Sequence, residues 1–400
     1  SECCFNMMAN GTHPLRVSGV DMGAHIVVWQ GASLTNCRLN LAGSVTAQPS
    51  GGMGAIKIWD IPTLKLLVGT LEWVNCFVQS NTLDDGGAEH SLLTIIDGDG
   101  QRDFSIEKVI IRGGKWLVTS RATSSPSSVT PLYIGPYNIF AGSSGIDTVV
   151  IEDVTLGAED DVGVWGRAPA PLSYEDVADW AAFTISATNV RVKNVALVGM
   201  PILGDCADMA LAYTDSLEVD GLFHTYSAMN YPGSGSPPNY RISISPQGGD
   251  ASKGVVSRLH LRGSNDSFLS PGGSVLLLGA AGYGGNLTLV DCILDTLGTG
   301  VQSGYRVRPN SSMSLTLMRC MGSHLGWLGL GFFYAYQVGD SVLKKLHIID
   351  CEFSNSGIGI YIDSELGSVN MLPDLLIQGC QCCYNASYGI QYTPGRWSNS

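Results

Sequence analysis

Carboxylates set beside aromatic rings are the residues in this sequence best suited to chemistry. Asp205 and Asp208 stand in the run GDCADM, and Glu175 lies thirty residues earlier, next to Tyr174 and near Trp180. Cleaving a glycosidic bond takes two carboxyl groups, a protonated acid and a base or nucleophile, about 5–5.5 Å apart for retention and about 6.5–9.5 Å for inversion. Glu175 and one aspartate would then direct or replace the attacking water, while the other aspartate protonates the leaving oxygen. The structural alternative is a turn-capping Asp205 and a solvated Asp208. A second choice is Asp60 and Asp97, which close the runs IKIWD and LTIID. Stacked carboxylates repel and raise one pKa, as a general acid requires; as corner residues they would instead accept turn N–H bonds.

A third constellation joins Arg306 and Arg308 (YRVRP), Tyr334 or Tyr336 (FYAYQ), and Tyr361 with Asp363 (GIYID). Strand alternation turns Arg306 and Arg308 outward, with Tyr361 and Asp363 outward one or two strands on. Such a face suits an acidic sugar or lyase chemistry; its plain alternative is a salt-bridged solvent face. Long connections carry Trp116, Trp165, Tyr174, Trp180, Tyr226 and Tyr231. Rings with a polar handle can stack on sugar faces, or can simply anchor the loops.

Other chemistry finds little support. GxSxG, HExxH and P-loop motifs are missing,. The Asp97-Gly98-Asp99-Gly100 run has no Glu at the twelfth position of a calcium loop,. Cys380, Cys382 and Cys383 lack the second ligand pair of a zinc site,. We expect neither a metal nor a cofactor. Buried free thiols in a reducing compartment account best for the eleven cysteines,.

The elements that must position these groups follow from composition and repetition. Glycine makes up 50 of 400 residues and charged residues only 14%, while apolar residues hold at 44%. Disorder needs the reverse balance, collagen needs a three-residue glycine period, and long amphipathic helices need more charge. The net charge of −13 opposes binding to a phosphate backbone,. No run of 18 apolar residues is present to span a membrane,.

Four segments share one pattern: NLTLVDCIL (286–294), SLTLMRCMG (314–322), KLHIIDCEF (345–353) and LLIQGCQC (375–382). Each is an alternating strand ending in a polar or glycine residue, then Cys. Their cysteines, 292, 320, 351 and 380, lie 28, 31 and 29 residues apart. Divergent copies recur upstream, including SLTNCRL, LEWVNCFV, SIEKVIIRG and VVIEDVTLG, each preceded by a partner strand such as AIKIWD, YNIFAG or RISISP. Strands repeating at this period without helices predict an all-β, right-handed, single-stranded parallel β-helix, a solenoid of about eleven or twelve coils with long loops. Its inward positions would include Ile242, Ile244, Ile360 and Ile362, and its corners would use glycine. The chain opens SECCFNMMANG without an initiator Met and closes GRWSNS. We read residues 1–14 as a lead-in from a longer protein and 15–400 as one β-helix domain.

The coil pattern, the glycine-rich corners and the long aromatic loops resemble the β-helical central domain of bacteriophage tailspikes, within the pectate-lyase-like superfamily, over about Leu15 to Tyr392. The resemblance implies a homotrimer that binds, and often cleaves, bacterial surface polysaccharide. It would be carried on the virion tail with other tail or baseplate proteins, made in the host cytoplasm and active at the cell surface. On the matching positions it implies Glu175, Asp205 and Asp208 as catalytic. A structural virion fibre and a secreted polysaccharide lyase that works as a monomer with Ca²⁺ are the rival expectations. A lyase should gather several carboxylates and a Lys or Arg on one strand face.

Overall fold

The computed structural model describes residues 3–8, 15–18, 26–44, 53–59, 65–83, 90–97, 104–118, 132–136, 145–158, 181–198, 207–225, 240–262, 274–279, 284–295, 303–307, 312–325, 328–333, 344–363 and 374–393. Among them the protein is all-β: regular structure is strand throughout, apart from one 3-10 turn at Gly249–Ala251. Among the described residues no helix is long and apolar enough to cross a membrane. The strands pair in parallel, each with the equivalent strand of the neighbouring repeat. The chain divides into two compact units, residues 1–212 with 230–236, and residues 213–229 with 237–400.

In the second unit the sequence repeat appears directly as register. Val256, Leu289, Leu317 and Ile348 form one inward file, each at 0% exposure. On another strand of the repeat, Leu276, Tyr305, Leu330 and Ile360 form a second file, equally buried. The expected inward residues Ile242, Ile244, Ile360 and Ile362 are all buried. Full burial of each such side chain is worth about 1.5–3 kcal/mol, so stacking one repeat on the next supplies the core.

One corner repeats with a fixed backbone requirement. Arg258, Asp291, Arg319, Asp350 and Gly379 all have positive φ, between 50° and 65°. Left-handed backbone is tolerated best by Gly, Asn and Asp, which is why the residue before each cysteine is so often one of these. The two arginines are held by carboxylates of the preceding repeat, Arg258 Nε to Asp220 Oδ1 at 2.6 Å and Arg319 Nε to Asp291 Oδ1 at 2.7 Å. The Arg319 hydrogen bond keeps the Asp291 carboxyl below the usual carboxylate range.

After the corner comes the cysteine file, with Cys292, Cys320 and Cys351 buried and free. Thiols reach back one repeat: Cys292 Sγ donates to the Val256 carbonyl at 3.6 Å, Cys320 Sγ to Leu289 at 3.5 Å and Cys380 Sγ to Ile348 at 3.3 Å. The stacked Cys292 thiol and burial push Cys320 up, and Cys320 does the same to Cys351. These are structural thiols, as expected.

The first unit repeats the plan with Asn36, Asn75, Gly113, Asp153 and Asn194 at the positive-φ corner. Its inward files include Leu71, Val109, Val149 and Val190. Trp116 departs from expectation. It lies within strand Phe104–Val118, 1% exposed, packed edge-on against Trp73 at 6.1 Å. Gly113 and Gly114, at φ +67° and +85°, let the strand turn the corner without ending, so a Gly-Gly pair that reads as a loop is a bend,.

Candidate functional site

Most of the sequence-predicted residues, namely Glu175, Asp205, Asp60, Trp165, Tyr174, Trp180, Tyr226, Arg308 and Tyr336, lie outside the described residues, as do the run YNIFAG, Tyr231 and Tyr334. Asp208 belongs to strand Ala207–Thr225, Asp97 to His90–Asp97 and Asp363 to Ile358–Asp363. Trp59 pairs with Ile96 and Asp97 with Pro136, so Asp97 ends a stacked strand.

Of the third constellation, the described strands place Arg306 and Tyr361 in one register file. Tyr305 points inward, fully buried, and Arg306 occupies the opposite face. Register runs Leu277–Arg306–Gly331–Tyr361–Gln391 across successive repeats. Arg306 and Tyr361 therefore share an outward file two repeats apart, about 10 Å at roughly 4.8 Å per repeat. Gly331, itself buried, is the residue between them in this file. The Tyr305 hydroxyl anchors this strand from inside, contacting the Cys292 carbonyl at 3.1 Å and the Met321 carbonyl at 2.9 Å.

A second polar face of the same unit was not singled out from sequence. On the short strands after the cysteine corner, Phe223, His260, Ile293, Met321, Glu352 and Gln381 form one outward file. Two residues along, Arg262, Asp295, Ser323 and Ser354 form a second file, open to solvent at Arg262 and Asp295 and buried at Ser323 and Ser354. Arg262 Nε lies 3.8 Å from Asp295 Oδ2, His324 Nδ1 lies 3.4 Å from Asp295 Oδ1, and the Ser323 hydroxyl meets the same Nδ1 at 2.8 Å. Both contacts fall on one ring nitrogen. A Ser-His-Asp relay needs the carboxylate and the nucleophile on opposite nitrogens, so this cluster is not a hydrolytic triad. Ser354 donates to Glu352 at 3.0 Å. The signal was present in the sequence: aligned on the corner cysteine, the third residue onward is Asp295, Ser323 or Ser354.

In the first unit, Arg112 Nε and Arg191 Nε grip opposite oxygens of Glu152, at 3.1 and 3.5 Å. Lys193 and Arg112 sit opposite Glu152 in register, and Lys108 lies opposite Thr148. Between the pairs Ile146–Ile106 and Thr148–Lys108, Asp147 falls opposite Glu107, an exposed carboxylate pair on adjacent repeats. Asn189 Nδ2 donates to Asp147 Oδ1 at 3.4 Å. Among the described residues no group of three His, Cys, Asp or Glu side chains is placed to hold a metal ion.

No protein-family model, curated protein or solved structure matches the chain.

Proposed function

We propose that the chain is a tailspike-type receptor-binding protein. In each unit the parallel repeats are coils of a right-handed parallel β-helix, eleven or twelve in all, and the outer faces recognise bacterial surface polysaccharide, capsule or O-antigen. The observation that carries the reading is the file Arg306–Gly331–Tyr361, where a cation and an aromatic ring share one outward ladder two repeats apart. A guanidinium suits a sugar carboxylate, and a phenol ring suits a sugar face and a hydroxyl together. Cleavage would be carboxylate-based glycoside hydrolysis by Glu175, Asp205 and Asp208, in a homotrimer mounted on a phage tail.

The experiment incubates the protein with purified capsule or O-antigen and follows chain length and retention. We expect shortened chains, with both binding and cleavage reduced in Arg306→Ala and Tyr361→Ala. Retained binding without shortening removes the enzyme and leaves the receptor-binding role; no binding removes both.

A second reading has one observation in its favour. Glu152 is gripped by Arg112 and Arg191 and lies opposite Lys193, while the exposed pair Glu107–Asp147, with Lys108 beside it, lies five residues earlier on the same strands. That is the mixture of carboxylates and cations a polysaccharide lyase needs. Elimination leaves an unsaturated, ultraviolet-absorbing sugar end and hydrolysis does not, so the absorbance of the products separates the two chemistries.

A further inference from the structure

The face after the cysteine corner is built unlike an ordinary solvated surface. Phe223 and Met321 are 38% and 36% exposed, large apolar side chains on one outward file, and Phe223 packs edge-on to His260 at 5.4 Å. The file runs along the stacking direction, and from Phe223 to Met321 it covers three repeats, roughly 14 Å. Beside it runs a polar rail, Arg262, Asp295 and His324, within 3.8 Å of one another through Asp295. Arg262 is a donor and Asp295 an acceptor, and their charges offset. The rail therefore offers hydrogen bonds without a net charge.

An apolar ridge with a neutral donor–acceptor rail beside it matches one chemistry in particular. A sugar ring presents a C–H face and an edge of hydroxyls, and a linear glycan repeats both at regular intervals. A polyanion would meet the Glu352 carboxylate, next to Met321 on the same file, unfavourably. A protein partner would need more contact than this narrow strip provides, since stable interfaces bury about 800 Å² on each side. We infer that this face docks an uncharged stretch of a linear polysaccharide lying along the stack, with sugar faces on Phe223, His260 and Met321 and hydroxyls on Arg262, Asp295 and His324. The inference rests on the glycan-binding reading. It adds a second footprint with a different preference from the Arg306–Tyr361 file, proposed above for an acidic sugar.

The test uses the 400-residue protein on an array of purified bacterial surface polysaccharides, neutral and acidic. For arrayed chains that bind, Phe223→Ala and Arg262→Gln should each weaken apparent affinity roughly tenfold. Bound polysaccharide should also protect Met321 from hydroxyl-radical oxidation. Binding that survives both substitutions but is lost in Arg306→Ala overturns this inference and leaves the proposed function standing. Met321 protected without polysaccharide, in an oligomer of the protein alone, overturns it in favour of a copy-to-copy contact. An array without any binding removes the proposed function and this footprint with it.

Discussion

Two buried tyrosines of the second unit allow a controlled test of how the repeats are held. Tyr305 and Tyr213 are each 0% exposed. The Tyr305 hydroxyl lies 2.9 Å from the Met321 carbonyl and 3.1 Å from the Cys292 carbonyl, so one O–H serves acceptors on consecutive repeats. The Tyr213 hydroxyl reaches the Asn286 carbonyl at 3.5 Å, beyond the usual O–H···O range of about 2.5–3.0 Å. Replacing Tyr305 by Phe keeps the ring and its edge contact with Phe353 but takes away the shared donor. Cys292 O keeps the Met321 amide at 2.8 Å, so the loss falls mainly on one buried carbonyl and should cost about 1–2 kcal/mol. Tyr213→Phe removes a poorer bond and should cost about 0.5 kcal/mol or less. For a cooperative unit of 150–250 residues each kcal/mol moves the melting temperature about 2–4 °C. Tyr305→Phe should therefore lower it by roughly 2–8 °C, followed by circular dichroism with urea titration as a check on the m-value. Equal losses in the two variants would refute the claim that the phenol ties one repeat to the next.

Three further outcomes follow from the same geometry. Burial raises both phenols above their ordinary value, so they stay protonated when folded and ionise near pH 10 when unfolded. Their contribution is complete below about pH 10 and lost as pH rises beyond it, and a Tyr213→Phe/Tyr305→Phe double variant should show a shallower alkaline decline in urea midpoint. Gly114→Ala would place its Cβ 2.0 Å from the Cys76 carbonyl oxygen at φ +85°; the destabilisation should exceed about 2 kcal/mol, measured by urea unfolding, and Ala-like stability there would contradict the corner geometry. Exposed Cys383 should react with a thiol reagent at once, while Cys292, Cys320 and Cys351 react only after unfolding, as mapped by mass spectrometry; Cys382, pushed up to about 11 by burial, should label slowly at neutral pH.

The fold was legible because its requirements recur. Alternation gave the inward files, and the polar-then-Cys signature marked a corner where positive φ selects Asn, Asp or Gly. Trp116 was misplaced because Gly113-Gly114 looks like a terminator, yet those glycines carry the strand round its bend. The outward polar faces were less legible for a different reason. Asp295 and His324 are 29 residues apart, and only the register of one repeat on the next makes them neighbours. Arg306 and Tyr361 could be found because strand alternation alone turns both outward; that they share one file, with Gly331 between them, needed the register.

The left-handed corner also sets the grammar of insertion and deletion in this chain. One residue added inside a strand would exchange its inward and outward faces and empty several buried files at once. One residue added between a strand's end and the next repeat's beginning leaves every file in place. The heritable unit of change along the stack is thus either a whole repeat, corner to corner, or a loop of any length. Gain of a repeat would lengthen the ridge carrying Phe223 and Met321 by one step, without redesign of the residues already on it.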